Sequence, residues 1–118
     1  MIGNDGWPLR SAVESTWRQV IARERTRESA HTWAAPWVEG SAGVNPPTDT
    51  MIATGLGYLH GLTMKAAPDS PHLISHFGRD AYLLSAAEVT ARFDHWLALC
   101  HDYDADPAAF RQRARRLR

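Results

Sequence analysis

Two kinds of side chain in this sequence are spaced in ways that invite chemistry: alternating acids and paired histidines. Asp102, Asp104 and Asp106 alternate along Asp102-Tyr-Asp104-Ala-Asp106-Pro107, the spacing with which a calcium loop begins. Such a loop next needs glycine at its sixth position and a bidentate glutamate at its twelfth. Those positions hold Pro107 and Arg113, so the acids read instead as helix-start chemistry. Asp106 is the expected N-cap, with Pro107 at the first helical position. Asp102 and Asp104 lie outside that cap. Clustered carboxylates imitate phosphates to a basic partner and speed encounter, so these two are the expected partner-binding residues. The loop around Arg79 and Asp80 is the other place that offers charges outside the apolar stripes.

His72 and His76 are four apart, which on a helix would set two imidazoles on one face as metal ligands. No Glu stands between them, and on a strand the same spacing separates them by roughly 13 Å. Cys100-His101-Asp102 adds soft and hard ligands, yet adjacent helical residues do not converge. Ser75, His76 and Asp80 supply a nucleophile, a base and an orienting group on paper, as some set would in most chains with six histidines. No Gly-rich phosphate loop or Gly-x-Ser-x-Gly elbow is present. The expectation is no catalytic residue, no metal and no cofactor, and therefore not an enzyme.

Charge narrows the partners further. Thirteen basic and thirteen acidic residues cancel, whereas binding to nucleic acid or an anionic membrane surface draws on excess cations. Residues 111–118 hold five Arg and no acid, and cations at a helix C-terminus complement the dipole. Nucleic acid and membrane are not the expected partners. The opening Met-Ile-Gly-Asn-Asp-Gly lacks the basic and apolar regions of a signal peptide. One cysteine makes no internal disulfide. Both point to a cytoplasmic location, and twelve Arg against one Lys suggests a GC-rich bacterial coding bias.

The elements that would carry these groups are mostly helical. Val89, Phe93, Trp96, Leu97 and Cys100 fall on one stripe of a 3.6-residue period. Ser85 and Glu88 before them form a capping box, so residues 85–101 are the expected central helix. Leu9, Val13, Trp17, Val20 and Ile21 repeat in the same way through about residue 24. Thr26 caps a second helix with Ala30, Trp33, Ala34, Trp37 and Val38 on its inner face; Pro36 should end or kink it near Ala35. Trp33 and Trp37 read as core, the alternative being an exposed binding hot spot. Residues 40–47, Gly-Ser-Ala-Gly-Val-Asn-Pro-Pro, form an internal loop. A third helix is expected from a Thr48 cap, with Ile52, Leu56 and Leu59 inside, weakened by Gly55 and Gly57. Residues 61–65 read as extended. Strands at 72–77 and 81–84 should form a hairpin about Gly78, the alternative being a helical continuation around Leu73, Ile74 and Phe77, and a last helix should bury Phe110, Ala114 and Leu117.

The segment from Trp17 to Val38, Trp-Arg-Gln-Val-Ile-Ala-Arg-Glu-Arg-Thr-Arg-Glu-Ser-Ala-His-Thr-Trp-Ala-Ala-Pro-Trp-Val, resembles a group of small actinobacterial proteins. Their pattern is an Arg-Glu segment leading into Trp-Ala-x-x-Trp, then Tyr-Leu, then a Ser- or Pro-capped helix bearing a Trp. Tyr82-Leu83 and Ser85–Trp96 match the later parts. Proteins of this kind are similar to the immunity proteins of polymorphic toxins, which implies a small cytoplasmic blocker; no toxin-binding residue carries over.

The expected fold is α+β and predominantly helical, a single globular domain over 1–118 with a flexible lead-in at 1–7. It should hold four to five helices and at most a small two- or three-stranded sheet. The expected function is a non-catalytic interaction protein, an immunity protein whose partner is a toxin domain. A small-molecule or peptide binder with a Trp-lined groove is the alternative, and a small His-based enzyme or metalloprotein the third reading.

Overall fold

The apolar stripes pack into a predominantly helical fold. The computed structural model describes residues 2–67, 70–75 and 82–116, and these contain five α-helices: α1 (Arg10–Ile21), α2 (Arg27–Val38), α3 (Thr50–His60), α4 (Ala86–Ala105) and α5 (Pro107–Arg116). Among the described residues no helix is long and apolar enough to cross a membrane.

α4 is built as its local chemistry dictates. The Ser85 hydroxyl accepts from Glu88 N while the Glu88 carboxylate accepts from Ser85 N, which satisfies two helix-end donors at once. Val89, Phe93, Trp96 and Cys100 are buried and Leu97 is half-buried. The helix then runs past the expected end at His101 and buries Tyr103 as well. Asp102 and Asp104 consequently sit on a helix and not in a loop.

Indoles join the helices across the core. Trp17 of α1 stacks on Trp96 of α4 at 5.7 Å and lies 5.3 Å from Phe93 and 5.6 Å from Tyr58 of α3. Trp17 Nε1 donates to Val89 O and Trp96 Nε1 to Met51 O. A buried Trp is apolar except for one N–H, and pairing it removes the cost of burial. Trp33 and Trp37 are only partly buried, 5.9 Å apart at the core's edge.

Several local expectations yield to distant contacts. Residues 2–7, within the lead-in expected at 1–7, make contacts with distant parts of the chain. Trp7 is buried with its Nε1 on Asn45 O, and Gly6 O accepts from Trp37 Nε1. Asp5 accepts from Trp7 N and from Thr48 N and Oγ1, and the Trp7 amide holds its carboxyl below the usual range. With Thr48 drawn to Asp5, the cap of α3 passes to Asp49, which accepts from Met51 N. α2 runs through Pro36 to Val38 because the lost bond falls in its last turn, where Trp37 is anchored by Gly6. Residues 61–63, expected as extended, form a 3-10 turn directly after α3. In α5, Phe110 is half-buried edge-on to Tyr103 while Ala114 is exposed; Leu117 lies outside the described residues.

The chain around residue 70 also pairs differently from the expected hairpin. Ser70–Ser75 runs antiparallel to the preceding Lys65–Ala67, with Lys65 opposite Ser75 and Ala66 opposite Ile74. Lys65 also bridges to Tyr82. The proposed turn at Gly78 lies outside the described residues.

Candidate functional site

A groove of about 490 Å³ lies between the α1–α2 turn and the start of α4. Val20, Ile21, Ala86 and Val89 give it an apolar floor; Arg23, Arg25, Arg27, Glu28 and Tyr82 rim it. Three of those rim groups are fastened to one another. The Arg27 guanidinium lies 4.3 Å from the Tyr82 ring centre and donates to Leu84 O. The Tyr82 hydroxyl donates to the Glu28 carboxylate. Burial, and then that carboxylate, push the Tyr82 hydroxyl above its usual value, so it remains a proton donor at neutral pH. Arg25 is held by Gln19 and Ser29.

Arg23 differs from these. It terminates α1 in the left-handed region at φ 62°, donating its backbone N–H to Val20 O while Glu24 N reaches back to Gln19 O. Glycine is the usual residue at such a helix end, because a side chain there is strained. The Arg23 side chain is exposed and has no polar partner among the described residues.

A second, smaller groove of about 400 Å³ lies between α1 and α4 and is lined by Arg10, Glu14, Trp96, Cys100, His101 and Asp104. Arg10 is its organising cation, meeting Asp49 at 2.7 Å and Asp104 at 2.6 Å. That contact holds the Asp104 carboxyl below the ordinary range and raises Arg10 in turn. Burial pushes the Cys100 thiol up to about 11, so it stays protonated and unreactive near neutrality.

The third assembly joins α2 and α3. His31 on α2, Glu39 at its C-terminus and His60 closing α3 each offer a ligand atom, and all three atoms lie within 4.8 Å of one another. His31 Nδ1 contacts His60 O at 2.7 Å and Thr63 Oγ1 at 3.2 Å. His60 Nε2 donates to Glu39 Oε2 at 2.7 Å, and the two imidazole centres are 4.2 Å apart.

The residues expected from the sequence are dispersed among these places. Asp102 is exposed on α4; Asp104, in the last turn of α4, is taken by Arg10. Asp106 caps α5 by accepting from Ala109 N. Arg79, Asp80 and His76 lie outside the described residues, as does the side chain of His72. Trp33 and Trp37 line neither groove. Neither Arg23 nor the His31–Glu39–His60 group was singled out by sequence reasoning. The first is betrayed only by its backbone angle. The second joins positions 29 and 21 residues apart with no motif spacing. Compared with known proteins, the chain matches no family model, no curated protein and no solved structure.

Proposed function

We propose that this chain is a non-catalytic interaction protein, most concretely a cytoplasmic immunity protein that binds a toxin domain and covers its active surface. The observation that carries the reading is the groove at the α1–α2 turn. Arginine and tyrosine over an apolar floor are the side chains that contribute most at protein interfaces. Arg23 stands at its rim on a backbone conformation that glycine would adopt with less strain, and strain of this kind persists where a side chain is needed in place. The resemblance of residues 17–38 to immunity-type proteins covers the same turn.

The partner that fits is a toxin domain with an acidic, partly apolar contact face. Asp102 and Asp104 form a second candidate surface on α4, of which Asp102 is the one not engaged by Arg10. The same reading takes the fold class as α+β, with 65–67 and 70–75 as its small sheet.

The test is to read the genes beside this one for a secreted protein with a toxin-like C-terminal domain and to co-express that domain with this chain. The wild-type chain should restore growth and form a stoichiometric complex. Arg23→Glu should abolish both at unchanged melting temperature, while Arg23→Gly should weaken binding and keep or raise stability by up to about 1 kcal/mol. Full protection by Arg23→Glu would remove the groove from the interface. If binding instead fails in Asp102→Asn, the α4 acids are the contact. No protection by the wild-type chain would overturn the immunity reading.

A further inference from the structure

We propose that His31, Glu39 and His60 form a binding site for a divalent transition cation of the zinc type. Two imidazoles and one carboxylate are a recurrent three-ligand set for this ion, with the fourth position open to water. Imidazole nitrogen favours zinc, nickel or copper over magnesium and calcium, which take oxygen.

The ring of His31 is set as a ligand would be. Its Nδ1 lies 2.7 Å from the carbonyl of His60, and a carbonyl can only accept, so Nδ1 carries the proton. In the neutral ring form that a cation binds, the lone pair is then on Nε2. A ligating histidine generally donates its other N–H to a carbonyl or carboxylate, which fixes its tautomer and orientation. On His60, Nε2 meets Glu39 Oε2 at 2.7 Å; a cation would replace the proton shared there.

The fit requires small movements. In a tetrahedral zinc site with bonds of about 2.0–2.1 Å, ligand atoms stand roughly 3.3 Å apart. The His60–Glu39 contact must open slightly and the widest separation, within 4.8 Å, must close. Glu39 can supply most of this, because its side chain is 55% exposed whereas that of His60 is 18% exposed.

A plain ion pair tying α2 to α3 accounts for Glu39 and His60. His31 joins them at the same seam, its ring centre 4.2 Å from that of His60.

The experiment uses the whole chain, stripped of metal by a chelator that is then dialysed away. Zinc is titrated by calorimetry and cobalt by its visible absorption. One equivalent should bind, cobalt should show the intense absorption of a tetrahedral site, and zinc should raise the melting temperature. His31→Asn and Glu39→Gln should each weaken binding by at least about tenfold, whereas His95→Asn and His101→Asn should leave it unchanged. Glu39→Gln alters an exposed side chain and keeps the test valid should His31→Asn fail to fold. No binding to the wild-type chain, or binding that survives in Glu39→Gln, would overturn the proposal. So would binding lost in His95→Asn or His101→Asn.

Discussion

Gly55 and Gly57 stand two residues apart on α3 and have opposite reasons to be there. A Cβ on Gly55 would lie 2.7 Å from Val13 Cγ1 and 2.8 Å from Trp96 Cε2, while one on Gly57 would meet nothing within 4 Å. Gly55 is thus the place where α1 and the Trp96 ring come closest to α3. Gly57 is exposed and merely lowers helix propensity. Gly57→Ala should therefore stabilise by up to about 1 kcal/mol. Gly55→Ala should destabilise by about 1–3 kcal/mol despite the same gain in propensity, because the neighbours are packed side chains with nowhere to move. Chemical denaturation of both variants checks this, and equal effects of like sign would contradict the packing.

The helices are held to one another by a charged clasp as well as by the core. Arg10 at the start of α1 takes Asp49, the cap of α3, and Asp104 in the last turn of α4. The Asp104 carboxyl titrates below its ordinary value near 3.8, first because of its hydrogen bond from Arg10. A folded value below the unfolded one means that ionised Asp104 favours the folded state. That contribution is complete above the unfolded value and is lost as pH falls through the folded one. The stability difference between wild type and Asp104→Asn should accordingly be largest at neutral pH and close below about pH 4. Melting curves at pH 7 and in acid decide it; a difference that does not vary with pH would exclude the clasp.

For the molecule as a whole, Trp96 is the residue on which most depends. It is fully buried, stacks on Trp17, touches Gly55 and donates to Met51 O, so α1, α3 and α4 all meet at one ring. Trp96→Ala should cost about 3–5 kcal/mol, a large part of the roughly 5–15 kcal/mol that keeps a small protein folded. The denaturation midpoint measures it, and an unchanged midpoint would mean the ring is not where the helices join.

What could be read along the chain is what depends on neighbours in the chain. The stripes of α1, α3 and α4 and the caps at Thr26, Ser85 and Asp106 were legible because periodicity and capping act within one or two turns. Partnership between distant residues was not. Asp49 displaces Thr48 as a cap because Asp5, remote in sequence, captures the threonine. Asp104 looks like an unattached acid until packing brings Arg10, 94 residues away, against it. His31, Glu39 and His60 share no spacing that names them; they converge because α2 and α3 lie side by side. Side-chain pattern selects which face of a helix is buried. Which two faces meet, and so which polar groups are left together at the seam, follows from how the helices α1 to α4 fill one core at once.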